Sequence, residues 1–102
     1  MIFDLKPGQV IEQYYVNNKI IIDIYADWCG PCKMLATQIE AFAAKHKDWT
    51  IVRVDSDQHK NVAAQFNVQA IPTMVIIANR QIKQIIVGYK PLSEIEKITS
   101  KY

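Results

Sequence analysis

The run Ile20-Ile21-Ile22-Asp23-Ile24-Tyr25-Ala26 constrains the fold more than any other part of the chain. It is largely β-branched, so it favours extended backbone over helix. A strand with one face in water alternates apolar and polar residues, and this run does not. Lys19 to Ala26 is therefore expected to be a central strand covered on both faces. Only Asp23 breaks the apolar character. On an exposed face it would be unremarkable, but inside a central strand an acid is costly unless its pKa rises or it finds a partner.

The rest of the pattern supplies the covering layers. Asp4 to Asn18 reads as a first helix, with Pro7 near its start and Val10, Ile11, Tyr14 and Tyr15 as its apolar stripe. A long helix follows Trp28-Cys29-Gly30-Pro31 and runs to about His46, with Leu35, Ile39, Phe42 and His46 on one face. Trp49 to Asp55 is a second strand, and Asp57 is placed to cap a third helix ending near Phe66. Ile71-Pro72-Thr73 opens the run Met74 to Ala78, which pairs with Gln81 to Val87 as an antiparallel hairpin. Gly88 ends that strand, and Pro91 to Lys101 forms a last helix on Leu92, Ile95 and Ile98. The expected fold class is α/β, a three-layer α/β/α sandwich with a mixed sheet of about five strands and about four helices. Residues 1–102 are read as a single domain.

Charge excludes some functions. A net charge of +2, with Lys and Arg scattered along the chain, gives no stripe for tracking phosphates, so no nucleic-acid partner is expected. The longest apolar runs are far too short to span a membrane. The N-terminal segment Met1-Ile2-Phe3-Asp4-Leu5-Lys6-Pro7-Gly8 lacks the basic and apolar regions of an export signal, so a cytoplasmic location is expected. Thiols in that compartment are kept reduced, and its cysteines rarely serve as structural staples.

The chain has two cysteines, Cys29 and Cys32, where the central strand hands over to the long helix. Positions i and i+3 share a helical face, within the separation that a disulfide needs. Cys29 falls at the helix N-terminus, where unpaired N–H groups and the macrodipole favour a thiolate. Pro31 suits the first turn, because its missing N–H costs nothing there. Cys32, one turn in, is expected to be the more buried. Cys29 is thus the exposed attacker on a substrate disulfide and Cys32 the resolving thiol.

Three other readings compete. A structural disulfide closing so short a loop would remove little unfolded-state entropy. Zinc could draw on Cys29, Cys32 and His46, but His59 lies too far beyond His46 for finger spacing, so no metal is expected. Two inert thiols would not account for Trp28, Gly30 and Pro31 around the pair.

At these residues the chain resembles the thioredoxin family over essentially its whole length. The segments that carry the likeness are Ile22 to Met34, Val54 to Gln58, Ile71-Pro72-Thr73 and Val87-Gly88. The resemblance implies reduction of protein disulfides, re-reduction by thioredoxin reductase at the expense of NADPH, and no bound cofactor. It implies that Asp23 is a buried acid that exchanges a proton with Cys32. It also implies a cis peptide before Pro72 facing the cysteines, with the Ile71 backbone free to pair with substrate. Trp28, Gly30, Pro31, Ile71, Pro72, Val87 and Gly88 would then form an apolar platform around the Cys29 sulfur. A monomer that meets disulfide-containing client proteins is expected. Trp49, Tyr14 and Tyr15 are read as packing residues.

Some residues depart from the family pattern. Thr37 stands where a proline commonly kinks the long helix, although Thr can bend one by bonding back to a carbonyl. Arg53 replaces a lysine that often neighbours the buried acid and is assigned its tuning. Asn79-Arg80 replaces an Asn-Gly turn, with a longer or strained hairpin expected. Tyr89 follows Gly88 where a small residue is usual, in position to extend or crowd the platform. Alternative functions are a dedicated thiol oxidase or isomerase, and a non-catalytic binding module on the same scaffold.

Overall fold

The computed structural model describes residues 1–102. In chain order its elements are β1 (Ile2–Asp4), a single 3-10 turn (Ile11–Tyr14), β2 (Lys19–Tyr25), α1 (Gly30–Lys45), β3 (Thr50–Asp55), α2 (Lys60–Gln65), β4 (Thr73–Ala78), β5 (Gln81–Val87) and α3 (Leu92–Thr99). The sheet order is β1-β3-β2-β4-β5, with β2 in the middle. Strands β1, β3 and β2 are mutually parallel, whereas β4 runs antiparallel to both β2 and β5.

Side-chain alternation along β2 divides the interior in two. Ile20, Ile22 and Ile24 point to one face and pack with Val52, Val54, Val75 and Ile77 beneath Val62 of α2 and Phe66, which ends it. Ile21 points to the other and packs with Ile51, Met74 and Ile76 beneath Leu35, Ile39 and Phe42 of α1 and Ile95 of α3. The same alternation puts Asp23 on the face of Ile21, under α1. Both faces of β2 are covered, as its composition requires, and the residues from Ile20 to Ile24 are fully buried. Trp49 is buried and meets Phe42 edge-on, with ring centroids 6.1 Å apart. Tyr14 and Tyr15 pack against the α2-side core.

The N-terminal helix is corrected. Residues 2–4 pair with Ile51, Val52 and Arg53 as a parallel edge strand, and the Leu5 N–H donates to the Arg53 carbonyl at 2.8 Å. Gly8 then turns the chain at a φ of +86°, which a glycine tolerates without steric cost. Between that turn and β2 only one 3-10 turn fits, so Val10 stays exposed and Ile11 alone is buried. The helices therefore number three, not four. Asp57 does not cap α2, which starts later, with His59 in the cap position. The Asp57 N–H instead bonds Asp55 Oδ1 at 2.9 Å, and its carboxylate is engaged elsewhere.

Two departures from the family pattern have local answers. Helix α1 runs uninterrupted through Thr37, whose hydroxyl donates back to the Met34 carbonyl at 2.7 Å. The β4–β5 hairpin is not lengthened: Asn79 and Arg80 form a two-residue turn, with φ of 53° and 65°. The register shift lies inside the hairpin instead, opposite Ile76 and Ile77.

Candidate active site

Strand β2 delivers the chain to the site. After Tyr25 and buried Ala26, a turn closed by the Cys29 N–H on the Ala26 carbonyl at 3.2 Å leads into α1. Cys29 is the N-cap of that helix, extended at φ −91° and ψ 113°, with Gly30 and Pro31 opening the first turn. Its Sγ accepts the Cys32 N–H at 3.2 Å, so one of the orphan donors of the helix end is aimed at the sulfur. When that sulfur is a thiolate, the same N–H and the helix dipole stabilise its charge. No acidic residue lies in the first turn to oppose this.

The two sulfurs form a disulfide, with the Cα atoms 5.3 Å apart. Cys32 is the more buried, at 2% exposure, but Cys29 is itself only 6% exposed, which corrects the expectation of an exposed attacker. In the disulfide the sulfurs shield each other, and Ala26, Tyr25 and Ile71 pack around them.

Asp23 has no exposed surface. Its register partners are Arg53 on β3 and Met74 on β4. The Arg53 Nε–H reaches Asp23 Oδ2 at 3.4 Å, while Oδ1 has no hydrogen-bond partner. Burial pushes the carboxyl pKa up to about 6, against the opposing pull of the Arg53 charge and hydrogen bond. A carboxyl so poised can both take up and release a proton near neutral pH. A cavity of about 260 Å³ is lined by Tyr25, Ala36, Cys32, Lys33 and the Asp23 partner Arg53, among others.

The other predicted residues come from three segments at the same end of the sheet. Trp28 is 72% exposed, and its indole N–H donates to Asp57 Oδ2 at 2.9 Å. Gly30 and Pro31 are exposed beside the sulfurs. The Ile71–Pro72 peptide is cis, and Ile71 packs against the cysteines. Neither the N–H nor the C=O of Ile71 makes a hydrogen bond within the chain. The Gly88 N–H donates to the Pro72 carbonyl at 2.8 Å, joining the two loops, and Val87 next to it is exposed. Gly88 turns at φ +96° with open space where a side chain would begin.

Tyr89 does not face this platform. Its ring packs against the α1–α3 core. His46 lies at the far end of α1, stacked on Phe42 and 2.7 Å from Glu96 Oε2, well away from the cysteines in the chain. No three His, Cys, Asp or Glu side chains gather in a metal-holding group, and no helix is long and apolar enough to cross a membrane.

Two residues of the site escaped the sequence reading. Tyr25 carries the Arg53 guanidinium over its ring, 4.2 Å from the centroid. The available signal was its position two residues after Asp23, on the same strand face. Asp57 holds Trp28 from a distance of 29 residues, and no local pattern marks it.

An α/β/α sandwich with a Cys-x-x-Cys disulfide at the N-terminus of its long helix defines a thiol–disulfide oxidoreductase. The thioredoxin family model matches residues 8–101. Thioredoxin of Mycoplasmoides gallisepticum is 35% identical over 82 residues, covering 80% of this chain and 82% of its own length. Thioredoxin of Mycoplasma pneumoniae is 31% identical over 102 residues, covering 99% of this chain and 100% of its own. The crystal structure of a thioredoxin from Nicotiana alata matches with a TM-score of 0.88 at 32% identity, over 98% of this chain and 90% of that one. The chain belongs to the thioredoxin family and carries out dithiol–disulfide exchange.

Proposed function

We propose that the chain reduces disulfides of client proteins, with Cys29 as nucleophile, Cys32 as resolving thiol and Asp23 as the proton acceptor for Cys32. The single observation that carries the reading is the Cys32 N–H aimed at Cys29 Sγ on the end of α1. In the reduced protein the Cys29 thiolate attacks one sulfur of the client disulfide, forming a mixed disulfide and expelling the other as a thiolate. Cys32 then gives its proton to the Asp23 carboxylate and attacks Cys29 Sγ. The second client thiolate leaves and the Cys29–Cys32 disulfide forms. Two electrons have passed to the client, and the Asp23 proton is available for a departing thiolate.

Client chains bind on the platform of Trp28, Gly30, Pro31, Ile71, Pro72, Val87 and Gly88. The unpaired backbone groups of Ile71 support strand-like pairing there. Re-reduction by thioredoxin reductase, drawing on NADPH, returns the dithiol. The working state is a monomer in a reducing compartment, the cytoplasm.

The test is reduction of a model protein disulfide with NADPH and thioredoxin reductase. Turnover that Cys29→Ser abolishes is expected, with Cys32→Ser accumulating the mixed disulfide. A chain that turns over with no reductase, or a Cys29→Ser variant with full activity, contradicts the reading.

A further inference from the structure

We propose that Tyr25 is a positioning residue for the exchange reaction: its ring holds the Arg53 guanidinium against Asp23 and so governs when that carboxyl can take the Cys32 proton. The inference rests on reading Asp23 as the base for Cys32.

The ion pair alone does not fix Arg53. Its Nε–Oδ2 distance of 3.4 Å is long beside the roughly 2.8 Å of a tight charge-assisted bond. The Arg53 side chain is also 26% exposed, at the boundary where an arginine head can swing out to water. Room for that movement exists in the adjoining cavity, whose wall includes both Arg53 and Cys32. What opposes it is the Tyr25 ring, with the guanidinium carbon 4.2 Å from its centroid, inside the range of a favourable cation–π contact. Tyr25 ends β2 two residues after Asp23, so strand geometry places ring and carboxyl on one face and Arg53 reaches both.

Other charged groups are supplied by the neighbouring elements. Asp4 on β1 is the register partner of Arg53, Asp55 follows on β3, Asp27 lies just after β2, and Lys33 of α1 lines the cavity. Asp4, Asp55 and Asp27 all act on the Tyr25 hydroxyl, yet Arg53 forms its one salt bridge with Asp23. With three other carboxylates near, a released guanidinium has alternatives to Asp23. The ring holds it at the one that matters for the chemistry.

The test is to titrate the Asp23 carboxyl in the reduced protein by carbon-13 NMR, alongside the pH profile of mixed-disulfide resolution. Tyr25→Leu keeps an apolar side chain but has no π face, and its Asp23 midpoint should rise by about 1 pH unit. Tyr25→Phe should restore the native midpoint. In an Arg53→Met background, Tyr25→Leu should add nothing. Should Tyr25→Leu not fold, Tyr25→Met reports the same quantity. An unchanged midpoint overturns the proposal. So does an equal shift in both backgrounds, because Tyr25 would then act through burial. If the midpoint moves and the resolution profile does not follow, the clamp stands and Asp23 loses its role as the base.

Discussion

The Trp28 indole N–H bonds Asp57 Oδ2 at 2.9 Å, tying the most exposed aromatic of the site to the loop before α2. That bond is the only hydrogen bond the indole makes, so Asp57 determines where the ring stands when a client arrives. Asp57→Ala should lower kcat/KM on a protein disulfide by about 5-fold, equivalent to ~1 kcal/mol. Reduction of a small soluble disulfide should be unaffected. Equal losses on both substrates would show that Trp28 orientation is not what the carboxylate supplies.

Asp23 makes stability depend on pH in a direction opposite to that of most acids. Its folded-state pKa of about 6 lies above the ordinary 3.8, so the folded protein holds the proton more tightly than the unfolded chain does. Stability is fullest below 3.8, is lost as pH rises through that window, and is lowest above 6. The whole interval corresponds to roughly 3 kcal/mol. Asp23→Asn should therefore stabilise the protein by about 2 kcal/mol at pH 8, less than the full amount because a polar amide stays buried. The gain should vanish near pH 4 in urea unfolding, and resolution by Cys32 should slow. A gain that is the same at both pH values contradicts the assignment.

Arg80 sits at a φ of +65°, in the left-handed region that costs a residue with a Cβ about 1 kcal/mol. It is exposed, with no hydrogen bond from its side chain to offset that cost. Arg80→Gly should raise stability by about 0.5–1 kcal/mol, the local relief being reduced by the greater freedom of glycine in the unfolded chain. A lower melting temperature in the variant would rule the strain out.

Glu96 on α3 accepts from both His46 and Lys45 at the C-terminus of α1, at 2.7 and 2.9 Å. These partners hold its carboxyl below the usual value of 4.5. A depressed acid contributes stability above its unfolded pKa and loses it as pH falls. Glu96→Gln should lower the melting temperature at pH 7, and the gap should close as pH drops through 4.5 and below. High salt should narrow it too, since the pair is solvent-accessible. A gap independent of pH would mean that Glu96 acts by packing.

Much of this was legible in the chain because it is local. The apolar run of β2 demanded two covering layers, and the cysteine spacing after it fixed the helix start and the reacting pair. The misread part is the N-terminus, where the apolar spacing of Val10, Ile11, Tyr14 and Tyr15 imitates a helix. The true partner of residues 2–4 lies near residue 52, and only the folded sheet reveals it. Tyr25 and Asp57 were overlooked for the same reason, since each acts on a group supplied by a distant segment. The burial of Cys29 was missed because it comes from Ile71 and from the bonded sulfur, neither of which a helix-end argument includes.

The sheet also acts as a partition. The apolar side chains under α2 and those under α1 form separate clusters with no residue in common, and Asp23 belongs to the α1 side by strand alternation. Substitutions on opposite faces fall in different apolar clusters, so where they also lie well apart along the strands their energetic effects should add. The α2 side, from Leu5 and Ile11 to Val62 and Phe66, is thus open to redesign for a hardier scaffold. The electrostatics beneath the sulfurs would be left as they are.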